Sequence, residues 1–155
     1  MFQKQAWMQR AGEYPVDDQG YFSLLARAVF SAGLGPKVVE ARWPNMCAAF
    51  HYFDPRKVAA MSDADVSQLL SNPNVIRNRR KIEAVIENAR RFLSCVAEAG
   101  KGFHGYLLGL GAERDLDAVA QKLSQTFVHL GRTSALFFLF SAGWRPQDMT
   151  AVQVV

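Results

Sequence analysis

Four bases within five residues, Arg77, Arg79, Arg80 and Lys81, stand where the sequence begins a long amphipathic helix. Cations there oppose the helix dipole, whose N-terminal end favours anions. An external anion relieves that conflict. Backbone N–H groups, a positive dipole end and several Arg side chains together make a phosphate site. A solvated basic face is the bland reading of such a run. Its position, just after a tight turn, favours the phosphate reading instead. From Arg77 to Arg91 six bases face two acids, a local charge of +4 that equals the net charge of the whole chain.

The elements around this run are legible. Asp54 before Pro55 supplies an N-cap acceptor and a first-turn ring. Ser62 before Asp63, Ala64 and Asp65 reads as a capping box with Asp in place of Glu, and Val66, Leu69 and Leu70 then carry an apolar face. Ser71-Asn72-Pro73-Asn74 forms a hairpin in which Pro73 ends the helix and Asn74 tolerates a left-handed conformation. Ile82, Val85, Ile86, Ala89, Phe92, Leu93 and Val96 follow at the spacing of one buried helical stripe. The hairpin motif therefore spans about 62–93.

The segments FDPRKVAAM, DADVSQLL and NVIRNRRKIEAVIENAR resemble the DNA-3-methyladenine glycosylase I family of the helix-hairpin-helix DNA glycosylase superfamily. The similarity extends back through Tyr21-Phe22 and Ser31-Ala32-Gly33-Leu34, and forward from Gly131-Arg132-Thr133-Ser134 to Ala142-Gly143-Trp144. It implies an all-α, helix-hairpin-helix glycosylase-like bundle. It also implies a hydrolase of base-excision repair, which removes alkylated adenine from double-stranded DNA and leaves an abasic site. Asn74, Val75, Ile76 and Arg77 would present backbone amides to a phosphate. Arg79, Arg80 and Lys81 would neutralise its neighbours, and Gly33-Leu34 would wedge the duplex.

The resemblance breaks at the base pocket. The family carries a Glu that hydrogen-bonds the flipped adenine and a Trp that stacks on it. Here Ala28 stands at the Glu position and Pro36 at the Trp position, and neither side chain can take over the task. Alkylation makes the base cationic and already a good leaving group, so extrusion and a suitable field are the main demands. A rebuilt pocket needs an aromatic plate and a carboxylate. Phe30, Trp43, Trp7 and Tyr14 are candidates for the plate, and Glu13, Asp17, Asp18 or Glu40 for the charge. Phe30, Trp43, Tyr14 and Glu13 form the expected pocket set, with the catalytic group unassigned. Each also has an ordinary structural reading, as core or, for Asp17-Asp18, as a turn and N-cap before Tyr21.

The rest of the chain narrows the class. Its 155 residues suit one domain over 1–155, and 50% hydrophobic against 21% charged residues suits a packed globule. The two cysteines, Cys47 and Cys95, make neither a disulfide framework nor a zinc pattern, so no metal and no cofactor are expected. Met1-Phe2-Gln3-Lys4 leads into polar residues rather than a signal sequence, and Ala135–Phe140 is too short to span a membrane. A cytoplasmic monomer is the expectation. His51, His104 and His129 share no ligand spacing and suggest no triad. Lys37–Phe53 reads as a helix kinked or split at Pro44, and Phe103–Gly111 as a glycine-punctuated loop that lacks the signature of a phosphate cradle. Asp115 or Asp117 caps the next helix, with Val119, Leu123, Phe127 and Leu130 inward.

Overall fold

The computed structural model describes residues 2–147, which fold into eight α-helices with no strand among them. These are α1 (Asp18–Ser31), α2 (Pro36–Ala49), α3 (Pro55–Ala59), α4 (Asp63–Ser71), α5 (Arg79–Ala99), α6 (Gly102–Leu110), α7 (Leu116–Thr126) and α8 (Arg132–Ser141). The all-α expectation holds. No helix of the described residues is long and apolar enough to cross a membrane.

Local chemistry sets the helix boundaries. The Asp17 side chain accepts from the Gly20 N–H to start α1, and Asp54 accepts from Arg56 to start α3. Ser62 and Asp65 form the reciprocal capping box of α4, and hydrogen bonds from the Ser62 backbone N–H and then its hydroxyl hold the Asp65 carboxyl below the usual carboxylate range. Asp115 caps α7 through the Ala118 N–H. Gly100, in the left-handed region at φ 69°, ends α5 as only glycine does cheaply.

Helix α5 is the organising element. Ile82, Val85, Ile86, Ala89 and Phe92 are buried on one face, packed against α1, α3 and α6. Each such large side chain contributes about 1.5–3 kcal/mol when taken from water. Phe92 stacks on Phe103 at 4.4 Å, and Phe103 also meets Tyr21, Phe127 and Phe138. Buried Asn88 joins α5 to the end of α7: its amide donates to the Val128 carbonyl and its oxygen accepts from the Val128 N–H.

Three expectations need correction. Phe103–Gly111 is not a loop: buried Phe103 and Leu107, one turn apart, anchor it to the core as α6, which overrides the low helix propensity of its glycines. Helix α2 continues through Pro44, and the break comes later, at His51–Phe53, where all three residues adopt positive φ. Asn74 is not left-handed. It follows an Asx turn in which its N–H donates to the Asn72 side chain.

Candidate nucleic-acid interface and base pocket

The basic run divides in two. Arg90 and Arg91 are structural: both pair with Glu87, while Arg90 also donates to the Ala59 carbonyl and Arg91 to that of Thr126. The Arg91 hydrogen bond is the main reason the Glu87 carboxyl lies below its ordinary range. Arg77, Arg79 and Arg80 are exposed. Arg79 contacts Glu83 at 3.2 Å, an exposed pair worth about 0.3–0.5 kcal/mol and easily surrendered to a phosphate.

The free hairpin amides lie three residues further along than the sequence suggests. Asn74 N–H is taken by the Asn72 side chain, Val75 N–H by the Asn72 carbonyl and Ile76 N–H by the Met46 sulfur. Among the described residues, the amides of Arg77, Asn78, Arg79 and Arg80 make no hydrogen bond to protein. Asn78, whose side chain accepts from the Lys81 N–H, is the cap that fixes this open turn. Arg42 of α2 braces the hairpin by donating to the Pro73 carbonyl at 2.6 Å. Neither role is visible in sequence, because both partners of Arg42 and Met46 lie some thirty residues away.

Lys81, expected to neutralise a phosphate, is here engaged with the protein itself. Its Nζ donates to the carbonyls of Phe30, at 3.1 Å, and Ala32, at 2.5 Å. It thereby closes the C-terminal end of α1, where a cation complements the dipole. Partial burial pulls its pKa down. The segment it holds, Ala32–Gly35, is exposed and carries Leu34 at its tip, with Gly33 at φ 78° making the turn.

A cavity of about 200 Å³ opens beside this loop. Ala28 and Ser31 of α1, with Ala32 just past its end, form one wall, Leu34, Pro36 and Val39 a second, and Thr133, Ser134 and Phe137 of α8 a third. The N-terminal segment closes it with Phe2, Gln5 and Trp7, the two rings packed edge-on against Phe137. Ala28 and Pro36, expected to lie at the base-recognition positions, both line the cavity. So does Trp7, one of the plate candidates.

The other expected pocket residues lie elsewhere. Phe30 is fully buried against Phe50 and Trp43, while Trp43 stacks on Phe53. Tyr14 belongs to a separate cluster with Trp144 and His104, where His104 Nδ1 meets the Tyr21 hydroxyl at 2.6 Å. Burial pushes the Tyr21 hydroxyl up to about 12. Glu13 is exposed. No carboxylate lines the cavity among the described residues; the one charged group there is Arg27. Nor do those residues gather three or more His, Cys, Asp or Glu side chains about a metal-sized space.

Comparison with known proteins gives this geometry a lineage. The model of the methyladenine glycosylase family matches residues 3–137. The chain belongs to the methyladenine glycosylase family. DNA-3-methyladenine glycosylase 1 of Escherichia coli (strain K12) is 42% identical over 77 residues, covering 50% of this chain and 41% of that protein. The Haemophilus influenzae DNA-3-methyladenine glycosylase is 29% identical over 150 residues, covering 85% and 80%. A crystal structure of 3-methyladenine DNA glycosylase I superposes with a TM-score of 0.74 at 27% identity, covering 91% of this chain and 93% of that one. A variant of 3-methyladenine DNA glycosylase I in complex with 3-methyladenine gives 0.77 at 26%, covering 91% and 88%. This family member thus keeps the shared helical scaffold around a cavity lined by Ala28 and Pro36.

Proposed function

We propose that this methyladenine glycosylase family member is a monofunctional DNA glycosylase that excises alkylated adenine, of the 3-methyladenine type, from double-stranded DNA. Water replaces the base at the N-glycosidic bond, leaving an abasic site and an unbroken strand. One observation carries the reading: Lys81 ties the basic start of α5 to the carbonyls ending α1, whose neighbouring residues line the cavity. A phosphate gripped at Arg77–Arg80 is thereby held in register with a wedge at Leu34 and a pocket behind it.

The roles follow from the chemistry. Arg77, Arg79 and Arg80 neutralise phosphates. Leu34, 37% exposed, fills the gap left in the stack. Trp7 offers a face for the extruded base, since stacking needs no hydrogen-bond match. An alkylated base leaves readily, and extrusion costs least for a weakly paired lesion. The protein acts as a cytoplasmic monomer with one domain and no cofactor.

Ala28 and Arg27 favour a second reading, a relative that binds DNA or damaged DNA without releasing a base. Incubation of the protein with alkylated duplex, followed by chromatography of released bases, separates the two. Free 3-methyladenine with alkali-labile but otherwise intact strands supports the enzyme. Salt-sensitive binding without release supports the binder. Absence of both release and binding would remove both readings.

A further inference from the structure

Arg27 is the least expected residue of the cavity. Its side chain is 5% exposed, yet the guanidinium donates no hydrogen bond to any described residue, and its Nε is buried without a partner. Burying such a group unpaired is costly. Two rings offset part of that cost: the guanidinium carbon lies 3.7 Å from the Trp7 ring centre and 5.1 Å from that of Trp43. Stacking satisfies the faces of the guanidinium and leaves its rim of donors. Burial pulls its pKa down to about 10, so it stays charged at neutral pH, with Glu40 favouring the charged form.

We propose that Arg27 makes the cavity a reader of an acceptor edge, so that it takes neutral 6-oxopurines, hypoxanthine being the simplest, in preference to unmodified 6-aminopurines. This inference rests on the reading of the cavity as the base pocket, and it widens the lesion class beyond alkylated adenine. A 6-oxopurine offers O6 and N7 side by side, the pair that a guanidinium engages in a fork. Adenine offers N7 beside an amino donor, which faces the Arg27 donors without complementing them. The apolar walls, Phe2, Ala28, Leu34, Pro36 and Phe137, suit a flat uncharged ring better than a hydrated anion.

The test is calorimetric titration of the full chain with free hypoxanthine, adenine and 3-methyladenine, with inorganic phosphate as competitor. Hypoxanthine should bind at least tenfold more tightly than adenine. The Arg27→Met variant should lose that preference, and Arg27→Lys should keep part of it. Equal affinity of the wild type for hypoxanthine and adenine overturns the inference without any variant having to fold. So does displacement of hypoxanthine by millimolar phosphate, which would make the natural ligand an anion. Binding of 3-methyladenine with no preference for hypoxanthine would sink the Arg27 inference alone. No binding of any of the three bases would also remove the pocket reading beneath it.

Discussion

Lys81 Nζ lies 2.5 Å from the carbonyl oxygen of Ala32, across 49 residues of sequence, and this contact joins the basic turn before α5 to the loop that carries Leu34. A single flexible side chain thus ties the start of α5 to the end of α1. Replacing it with Met keeps the stem and removes the donors. Lys81→Met should cost about 1 kcal/mol of stability, since the amine is only partly buried. It should lower base release more than duplex affinity, measured by comparing the two in one buffer. An equal loss of both would mean that Lys81 contacts phosphate after all.

Arg77, Arg79 and Arg80 should behave differently. Each alanine substitution should reduce the slope of log affinity against log salt by about 0.9 if it removes one phosphate contact. Lys81→Met should leave the slope nearly unchanged. A triple variant binding duplex with wild-type salt dependence would place the interface elsewhere.

The sequence exposes the difference between these bases only in part. Charge density marks the whole run from Arg77 to Arg91, because charge is a local property. What each base touches depends on partners far away: Phe30 and Ala32 for Lys81, Ala59 for Arg90 and Thr126 for Arg91. Capping at Ser62 and Asp115 and the α5 stripe were legible for the same local reason. Helix α6 was not, because Phe103 wins its helical turn by packing against Phe92, not by propensity. Trp7 and Arg27 show the limit at the site itself. A lone Trp near the N-terminus and an Arg on an apolar helix carry no spacing signal, and only the fold brings them within 3.7 Å.

Asn88 tests the frame that holds α5. Asn88→Ala would strip both hydrogen bonds from Val128 in a buried setting, leaving an N–H and a carbonyl unsatisfied. The cost should be about 2–4 kcal/mol by urea unfolding. A change under 1 kcal/mol would show that water replaces the side chain freely.

Gly143 secures the N-terminal segment that carries Trp7. Its carbonyl accepts from the Gly12 N–H at 2.9 Å, its φ is 99°, and an added Cβ would lie 2.7 Å from the Arg10 carbonyl oxygen. Gly143→Ala should therefore destabilise by at least about 2 kcal/mol and dislodge the segment. Limited proteolysis should then cut ahead of Tyr14 faster than in the wild type. Unchanged cleavage would separate this contact from the closure of the cavity.

The proposed destination of the extruded base is the cavity behind Leu34, walled by Ala28 and covered by Trp7. The rate of 3-methyladenine release from alkylated duplex, compared between wild type and Trp7→Ala under single-turnover conditions, tests it most directly. Measurable release by the wild type and at least a tenfold loss in the variant are expected, with duplex salt dependence preserved. Release at equal rates from both proteins would contradict it.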